Sequence, residues 1–270
     1  MVQDGLHMLS KVKMAGDTVE VINYSSPILC GYTRTHSIVK RTEGRVEDRR
    51  EDNLYRSRKR LRELIWANEV PFMKFVTLTY AETCLEVKKV RRDITTFVQA
   101  MRRNDYEMKY VYVLENQIER GKREGNDGCL HVHMLIFNSA YLDFNLLNKC
   151  WKHGQTDIKA TEHVENAGAY VCKYITKQGV RAFGQQVYGC SNGLKRPIEE
   201  RFYMEGLSDR TTGLHPSEVV QSLNVTYRKS VQHDFRMKDG RCKSLTVEVL
   251  QGKWKDENII EARRDDLKYA

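Results

Sequence analysis

The sequence lacks several features that mark common classes of protein. No apolar run approaches the roughly 20 residues of a membrane-spanning helix, and the opening stretch, MVQDGLHMLSKVKMAGD, has no apolar segment like that of a signal peptide. The seven cysteines are scattered and form no C-x-x-C pair, which argues against a disulfide framework and a cysteine-based zinc site. Internal repeats are also absent. We therefore expect a globular protein of the cytoplasm that has no membrane partner.

The composition favours a partner of negative charge. Lysine and arginine total 45 against 36 aspartates and glutamates, which gives a formal net charge of +9 and a pI near 9.1. Nucleic acid is the commonest anionic partner of so basic a chain. The 270 residues, 40% of them hydrophobic, suffice for one large domain or for a core domain with additions at its ends.

Changes of pattern divide the chain into three parts. Residues 1–70 combine a β-hairpin around Gly16-Asp17 with a charged, helix-forming segment that is rich in arginine and lysine. That segment is interpreted either as a solvated helix with intrahelical ion pairs or as an arm that contacts DNA. Residues 71–185 form the main domain. Residues 186–270 are a C-terminal extension of unknown role, with a hairpin predicted around Asp239-Gly240.

The main domain shows clear periodicity. Apolar residues recur at steps of three and four within 86–104, which predicts an amphipathic helix. Its basic outer face includes Arg91 and Arg92, which we expect to contact nucleic acid. The apolar stripe consists of Val87, Val90, Ile94, Phe97 and Met101. Strands are predicted at 72–80, 109–117 and 129–137, and further helices at 143–154 and 165–179.

Two histidines stand one residue apart in the run GCLHVHMLIF, which is otherwise almost wholly apolar. Residues two apart in a strand share a face, so His131 and His133 point the same way, about 7 Å apart along the backbone. Side chains at that spacing can converge on one cation through their ring nitrogens. The alternative is a pair of buried histidines that only form hydrogen bonds with their neighbours.

Glu115 ends the preceding apolar strand, YVYVL, and supplies an oxygen ligand if the two strands pair. Two imidazoles and one carboxylate leave coordination positions open, as a catalytic metal site requires. For a phosphodiester substrate, Mg²⁺ or Mn²⁺ is the sensible ion. The alternative for Glu115 is a surface carboxylate at the end of a strand.

The segment AYVCKYITKQG carries a second group of reactive side chains. On a helix, Tyr170, Lys173, Tyr174 and Lys177 follow the spacing i, i+3, i+4, i+7 and fall on one stripe. A phenolic oxygen can attack phosphorus and hold the product as a phosphotyrosine. A lysine one turn away offers positive charge to the phosphate or the phenolate. The alternative is a stripe that only stacks on and neutralises nucleic acid.

These motifs together resemble those of the HUH endonucleases. HVHMLIF is similar to the histidine-hydrophobe-histidine motif, YVCKY to the tyrosine motif, and FVTLTY to the first strand motif of rolling-circle replication initiators. All three occur in the family's order, within residues 72–180. The likeness is to initiators of single-stranded DNA phages and related plasmids. It implies an α+β fold, with a central five-stranded antiparallel β-sheet flanked by helices (an RRM-like palm) and N- and C-terminal extensions.

The resemblance also implies roles for individual residues. It makes His131 and His133 ligands of a divalent metal, with Glu115 as a less secure third ligand. It makes Tyr170 the nucleophile, Lys173 the motif lysine and Tyr174 a possible second nucleophile. The implied reaction is sequence-specific nicking and joining of single-stranded DNA at a replication origin, through a 5′-phosphotyrosine, in a bacterial or other prokaryotic cell.

Other functions remain open at this point. A transposase or a relaxase uses the same chemistry, and a DNA-binding regulator can carry the same scaffold without catalysis. The sequence has no G-x-x-x-x-G-K-[ST] motif for a helicase. Unwinding is therefore expected to come from a host helicase, with a host polymerase extending the free 3′ end.

Overall fold

Twelve strands and six helices make up the part of the chain that the computed structural model describes, namely residues 5–7, 9–26, 28–30, 43–123, 125, 128–139, 141–161, 166–175, 188–203, 216–236 and 242–255. The strands are β1 (Gly5–His7), β2 (Leu9–Ala15), β3 (Thr18–Tyr24), β4 (Ile28–Cys30), β5 (Lys74–Leu78), β6 (Tyr110–Asn116), β7 (Leu130–Ile136), β8 (Thr156–Ala160), β9 (Tyr188–Cys190), β10 (Ile198–Tyr203), β11 (Leu223–Arg236) and β12 (Cys242–Trp254). The helices are α1 (Glu43–Trp66), α2 (Val87–Arg103), α3 (Ile118–Arg123), α4 (Phe144–Trp151), α5 (Ala167–Cys172) and α6 (Pro216–Gln221).

The chain divides into two units, one of residues 41–195 and the other of residues 1–40 with 196–270. The first unit is built on a five-stranded antiparallel sheet with the order β8-β5-β7-β6-β9. The central strand, β7, is buried at all seven positions. A strand covered on both faces has a nearly continuous apolar sequence, which explains why its two histidines stand out.

The register of the sheet defines a front face. Directly opposite residues of paired strands share a face, and Thr77, Val113 and Glu115 lie opposite His133, His133 and His131, respectively. The front face therefore holds Thr77, Glu115 and both histidines. The back face holds the alternating residues of the same strands, which include Tyr112.

Helices cover both faces of this sheet. The five apolar residues predicted as the stripe of α2 are all buried, which confirms the amphipathic helix. An arginine of α2 forms a hydrogen bond with Tyr112, so α2 lies against the back face. The charged segment of the N-terminal part forms α1, which is a helix but not one solvated all round. It contributes Leu54, Leu61, Leu64 and Ile65 to the core.

The second unit contains another five-stranded antiparallel sheet, in the order β10-β2-β3-β12-β11, and the two-stranded pair β1-β4. The predicted hairpin at Gly16 is present as β2 and β3. Strands β11 and β12 pair as far as Arg236 and Cys242, which confirms the second hairpin, while its turn at Asp239-Gly240 lies outside the described residues. The core of this unit consists of Val12, Met14, Val19, Val21, Val219, Leu223, Leu250 and Trp254.

The fold class agrees with the prediction, since both large sheets are antiparallel and the protein is α+β. The strands expected at 72–80, 109–117 and 129–137 are β5, β6 and β7. None of the described helices is both long and apolar enough to cross a membrane.

The helix expected over 165–179 is shorter than predicted within the described residues. The α-helix ends at Cys172, and the amides of Tyr174 and Ile175 then bond to carbonyls three residues back, as in a 3₁₀ turn. The carbonyl of Ile175 accepts hydrogen bonds from Arg58 of α1. A tertiary contact thus takes up a carbonyl that a longer helix would use. Lys177, predicted in the last turn, lies outside the described residues.

Asp93 of α2 joins several polar groups at the end of β5. Its carboxylate accepts hydrogen bonds from the Tyr80 hydroxyl (2.8 Å) and the Lys89 ammonium (2.7 Å), and His153 Nε2 lies 3.7 Å away. Burial alone would raise the pKa of Asp93. The hydrogen bonds from Lys89 and Tyr80, with the nearby charge of His153, hold that pKa below its usual value instead.

We expect Asp93→Asn to lower the free energy of unfolding by about 1.5–3 kcal/mol at pH 7, because hydrogen bonds to a charged group are lost. The native pKa lies below the unfolded value of about 3.9, so this stabilisation is complete above about pH 5 and is lost as the pH falls through the native pKa. Urea unfolding at pH 7, 5 and 3 should show the gap between variant and wild type narrowing. Asp157→Asn, at a half-exposed aspartate, is the control and should change little. An unchanged gap at pH 3 would contradict the account.

Candidate active site

A hydrogen-bonded pair occupies the front face of β6 and β7. His133 Nε2 donates to Glu115 Oε2 at 2.7 Å, and the Thr77 hydroxyl lies 3.3 Å from Nδ1 on the other side of the ring. The imidazole is thereby fixed from both neighbouring strands. Burial alone would raise the pKa of Glu115, but the hydrogen bond and charge of His133, with further help from Gln117, keep it below the usual value.

His131 lies directly opposite Glu115 in the β6–β7 ladder. It is 5% exposed and His133 is 4% exposed, so both predicted ligands stand in the interior. Within the described chain, no three His, Cys, Asp or Glu side chains converge closely enough to hold a metal ion without movement. The donor set nevertheless fits Mg²⁺ or Mn²⁺ in type, because one carboxylate and two imidazoles share a face. We give more weight to the shared face, because the hydrogen bond between His133 and Glu115 uses donor atoms that an ion would take.

The two predicted tyrosines lie over the same face. The ring of Tyr174 stacks on His133, with centroids 3.7 Å apart and an interplanar angle of 23°. The hydroxyl of Tyr174 donates to that of Tyr170 at 3.4 Å. Phe75 supports both tyrosines, edge-on to Tyr170 at 5.0 Å and stacked with Tyr174 at 5.7 Å. The structure thus brings the histidine and tyrosine motifs together.

Lys173 lies above both phenol rings. Its ammonium is 3.7 Å from the ring centroid of Tyr170 and 4.9 Å from that of Tyr174, and the residue is exposed. A cation at these distances interacts favourably with the face of an aromatic ring. The lysine therefore provides positive charge on the solvent side of the tyrosine pair.

The two hydroxyls differ in acidity. The hydrogen bond from Tyr174 lowers the pKa of Tyr170 below the ordinary phenol value, and the charge of Lys173 adds to this effect while burial opposes it. Burial raises the pKa of Tyr174 well above that value, and the Tyr170 hydroxyl and the Glu115 charge act in the same direction. Tyr170 is the phenol of the pair that ionises more easily.

Helix α1 holds the tyrosine segment from behind. Both the Nε and an Nη of Arg58 donate to the carbonyl of Ile175, the residue after Tyr174, and Cys172 Sγ donates to the carbonyl of Arg58. Gly168 of α5 packs so closely on Arg62 that a Cβ there would lie 2.8 Å from its side chain. The sequence analysis missed Arg58. Its only signal was the apolar stripe on one side of the charged segment.

Not every predicted residue reaches the front face. Arg91 forms its hydrogen bond with Tyr112, and Arg92 follows it on α2, so both belong to the back of the sheet. A DNA strand at the tyrosines is therefore separated from them by the sheet. The side chain of Lys177 lies outside the residues that the structure describes.

The segment that builds this site has a known counterpart. Residues 73–179 match a family model of replication-associated proteins, the one described as Replication-associated protein ORF2. The matched residues, about two fifths of the chain, run from β5 through β7 to the end of the tyrosine segment. No curated protein and no solved structure matched the chain. The match supports a Rep-type protein that acts in rolling-circle replication, as the resemblance of the motifs implied.

The hydrogen bond between the tyrosines makes a testable difference to their acidity. We expect Tyr174→Phe to raise the pKa of Tyr170 toward the ordinary phenol value, because the donor that stabilises its phenolate is removed. NMR titration of protein labelled with ¹³Cζ-tyrosine measures this pKa directly. Tyr141→Phe, at a tyrosine that is 74% exposed, is the control. A pKa of Tyr170 that stays the same or falls in Tyr174→Phe would contradict the assigned direction of the bond.

Proposed function

We propose that the protein initiates rolling-circle replication by nicking and rejoining single-stranded DNA at an origin, with Tyr170 as the nucleophile. The observation that carries the proposal is a continuous series of contacts. The Tyr170 hydroxyl meets that of Tyr174, the Tyr174 ring stacks on His133, and His133 bonds to Glu115. A nucleophile is thus placed beside a candidate metal site, as transfer of a phosphodiester to tyrosine requires.

In the proposed site, Glu115, His131 and His133 hold a divalent cation, Mg²⁺ or Mn²⁺. When bound, the ion supplies a Lewis acid that polarises the scissile phosphate. The protein's own contribution is orientation. Thr77 fixes the His133 ring by contacting its second nitrogen, as outer-sphere partners of metal-bound histidines commonly do. The apolar surroundings of β7 keep the ligands out of bulk water.

The covalent step transfers the 5′ side of the nick to the enzyme. The phenolic oxygen of Tyr170 forms a bond to phosphorus as the bond from phosphorus to the 3′ oxygen breaks. The phenol gives up its proton, and the leaving 3′ oxygen takes up a proton to become a free hydroxyl. Tyr174 favours the phenolate by its hydrogen bond, and Lys173 favours the same charge from above the ring. Attack by a 3′ hydroxyl on the phosphotyrosine reverses the step and rejoins the strand.

The proposed reaction leaves two tasks to other molecules. A host helicase unwinds the duplex, and a host polymerase extends the released 3′ hydroxyl. Tyr174 is proposed as a second nucleophile for the round that releases a circle, since its hydroxyl lies 3.4 Å from that of Tyr170. This position allows a second attack near the same phosphate while the first strand remains bound.

The proposal predicts a covalent adduct between Tyr170 and single-stranded origin DNA in the presence of Mn²⁺. Tyr170→Phe should reduce adduct formation by at least about 10³-fold, since the attacking oxygen is gone. His131→Ala and His133→Ala should abolish nicking but leave DNA binding largely intact. Mass spectrometry of the DNA-linked peptide identifies the tyrosine, and Tyr141→Phe is the matched control.

Three outcomes of this experiment would contradict the proposal in different ways. An adduct on Tyr174 that persists in Tyr170→Phe would reverse the order of the two nucleophiles. Full nicking in EDTA would remove the metal from the mechanism. Tight DNA binding without any adduct in the wild type would favour a regulator that carries the same fold without catalysis.

We expect Arg58 to position the nucleophile without touching DNA. Arg58→Met should slow adduct formation at saturating DNA by roughly 10-fold while changing the Kd for DNA little, because a small displacement of the reacting group costs much rate. Arg58→Lys should restore part of the rate, since a lysine can still donate to the Ile175 carbonyl. Arg60→Met makes the same charge change at an exposed position of the same helix and is the control. Equal loss of DNA affinity in both Met variants would show that the helix acts by charge alone.

A further inference from the structure

The turn between α4 and β8 places Lys152 and His153 at the end of β5. The Ala81 amide donates to the carbonyl of His153 at 2.8 Å, and Trp151 Nε1 donates to the carbonyl of Thr79 at 2.7 Å. Both hydrogen bonds join the turn to the chain that directly follows β5. The turn therefore has a fixed position relative to the strand that carries Thr77.

The backbone of this turn is adapted to close contact. A Cβ on Gly154 would lie 2.4 Å from the carbonyl oxygen of Thr79, so no side chain fits there. Lys152 has a φ of 58° and a ψ of −6°, a left-handed conformation that costs a residue other than glycine on the order of 1 kcal/mol. Asparagine or glycine would adopt it more readily. A lysine at this position therefore calls for a use of its charge.

The imidazole of His153 is oriented on three sides and open on another. Its centroid lies 5.0 Å from the ring of Trp151 and 5.7 Å from that of Tyr80, and its Nε2 is 3.7 Å from Asp93 Oδ1. That distance is too long for a hydrogen bond. Asp93 already accepts hydrogen bonds from Lys89 and Tyr80, so it does not need His153 as a donor. The side chain of His153 is 33% exposed.

This turn lies at the end of the sheet toward which the candidate metal ligands point. Strands β5 and β7 are antiparallel, so the direction from His133 to His131 is also the direction in which β5 leaves the sheet. Tyr80, which contacts the ring of His153, is three residues beyond Thr77, or about 10 Å along an extended chain. A DNA strand whose scissile phosphate lies at His133 can reach this turn with a neighbouring phosphate.

We propose that Lys152 and His153 bind a backbone phosphate of the DNA strand, beside the scissile phosphate. The charge at this place suits a phosphodiester, because Lys89 and His153 lie beside a single carboxylate, that of Asp93, and the exposed Lys152 adds a further positive charge next to His153. Phosphate contacts of this kind position a nucleic acid without reading its sequence. The inference rests on the proposed function, since it assigns a further contact to the same DNA strand.

Two variants remove the proposed contacts without disturbing the turn. His153→Gln replaces the imidazole by a neutral side chain, and Lys152→Asn removes the charge while suiting the left-handed backbone better. Fluorescence anisotropy in EDTA, with a labelled single-stranded oligonucleotide from the origin, measures the Kd without nicking. Each variant should bind roughly 10-fold more weakly and lose about one unit of salt slope. Lys109→Gln, at an exposed lysine just before the start of β6, is the matched control and should keep both values.

Neutral linkages identify the phosphate itself. A series of oligonucleotides carries one methylphosphonate each, and one linkage near the scissile position should weaken binding by the wild type but not weaken binding by His153→Gln further. Independent, additive losses at every linkage would overturn the proposal, as would variants that bind like the wild type. Because these measurements need no adduct, they separate failure of this phosphate site from failure of the proposed nicking. Lys152→Asn repeats the test if His153→Gln does not fold.

Discussion

The hydrogen bond between His133 and Glu115 is the contact on which the candidate site depends. A buried imidazole and a partly buried carboxylate each lose hydration, so they are tolerated within a core only when they satisfy each other. Mutual satisfaction requires that β6 and β7 pair in one register, because a slip of one residue would turn both side chains to opposite faces. Thr77 adds the same requirement to β5. Two polar side chains thus fix the alignment of the three central strands.

The tyrosine segment is placed by packing against this frame and by α1. Tyr174 finds its position by stacking on His133 and Phe75, while Arg58 binds the carbonyl that follows it. Short segments such as α5 are marginal as isolated helices, and they gain their stability from tertiary contacts. Helix α1 is therefore part of the site although it supplies none of its reactive groups. Its positive charge alone would have suggested contact with DNA.

The sequence predicts the parts of this structure whose signals are local. Periodicity located β5, β6, β7 and α2, and the spacing of two histidines placed them on one face before any strand pairing was known. The contact of Arg58 with Ile175 joins residues 117 positions apart, and no periodic pattern encodes such a pair. The early end of α5 and the position of Arg91 behind the sheet follow from similarly distant contacts. The same limit applies to the second sheet, where β2 and β3 pair with β10 and β12 from the other end of the chain.

Spacing on a helix could not say which tyrosine is the better nucleophile, because each is followed by a lysine three residues on. The surroundings differ in a way that the spacing cannot show. Tyr174 donates its proton to the hydroxyl of Tyr170 and lies against His133, near the negative charge of Glu115, so its own ionisation is opposed. The same hydrogen bond stabilises negative charge on Tyr170. An exchange of roles would require the bond between the hydroxyls to reverse. Loss of the Tyr170 oxygen to a phosphate ester removes its free hydroxyl, so the first attack itself changes the environment of the second tyrosine.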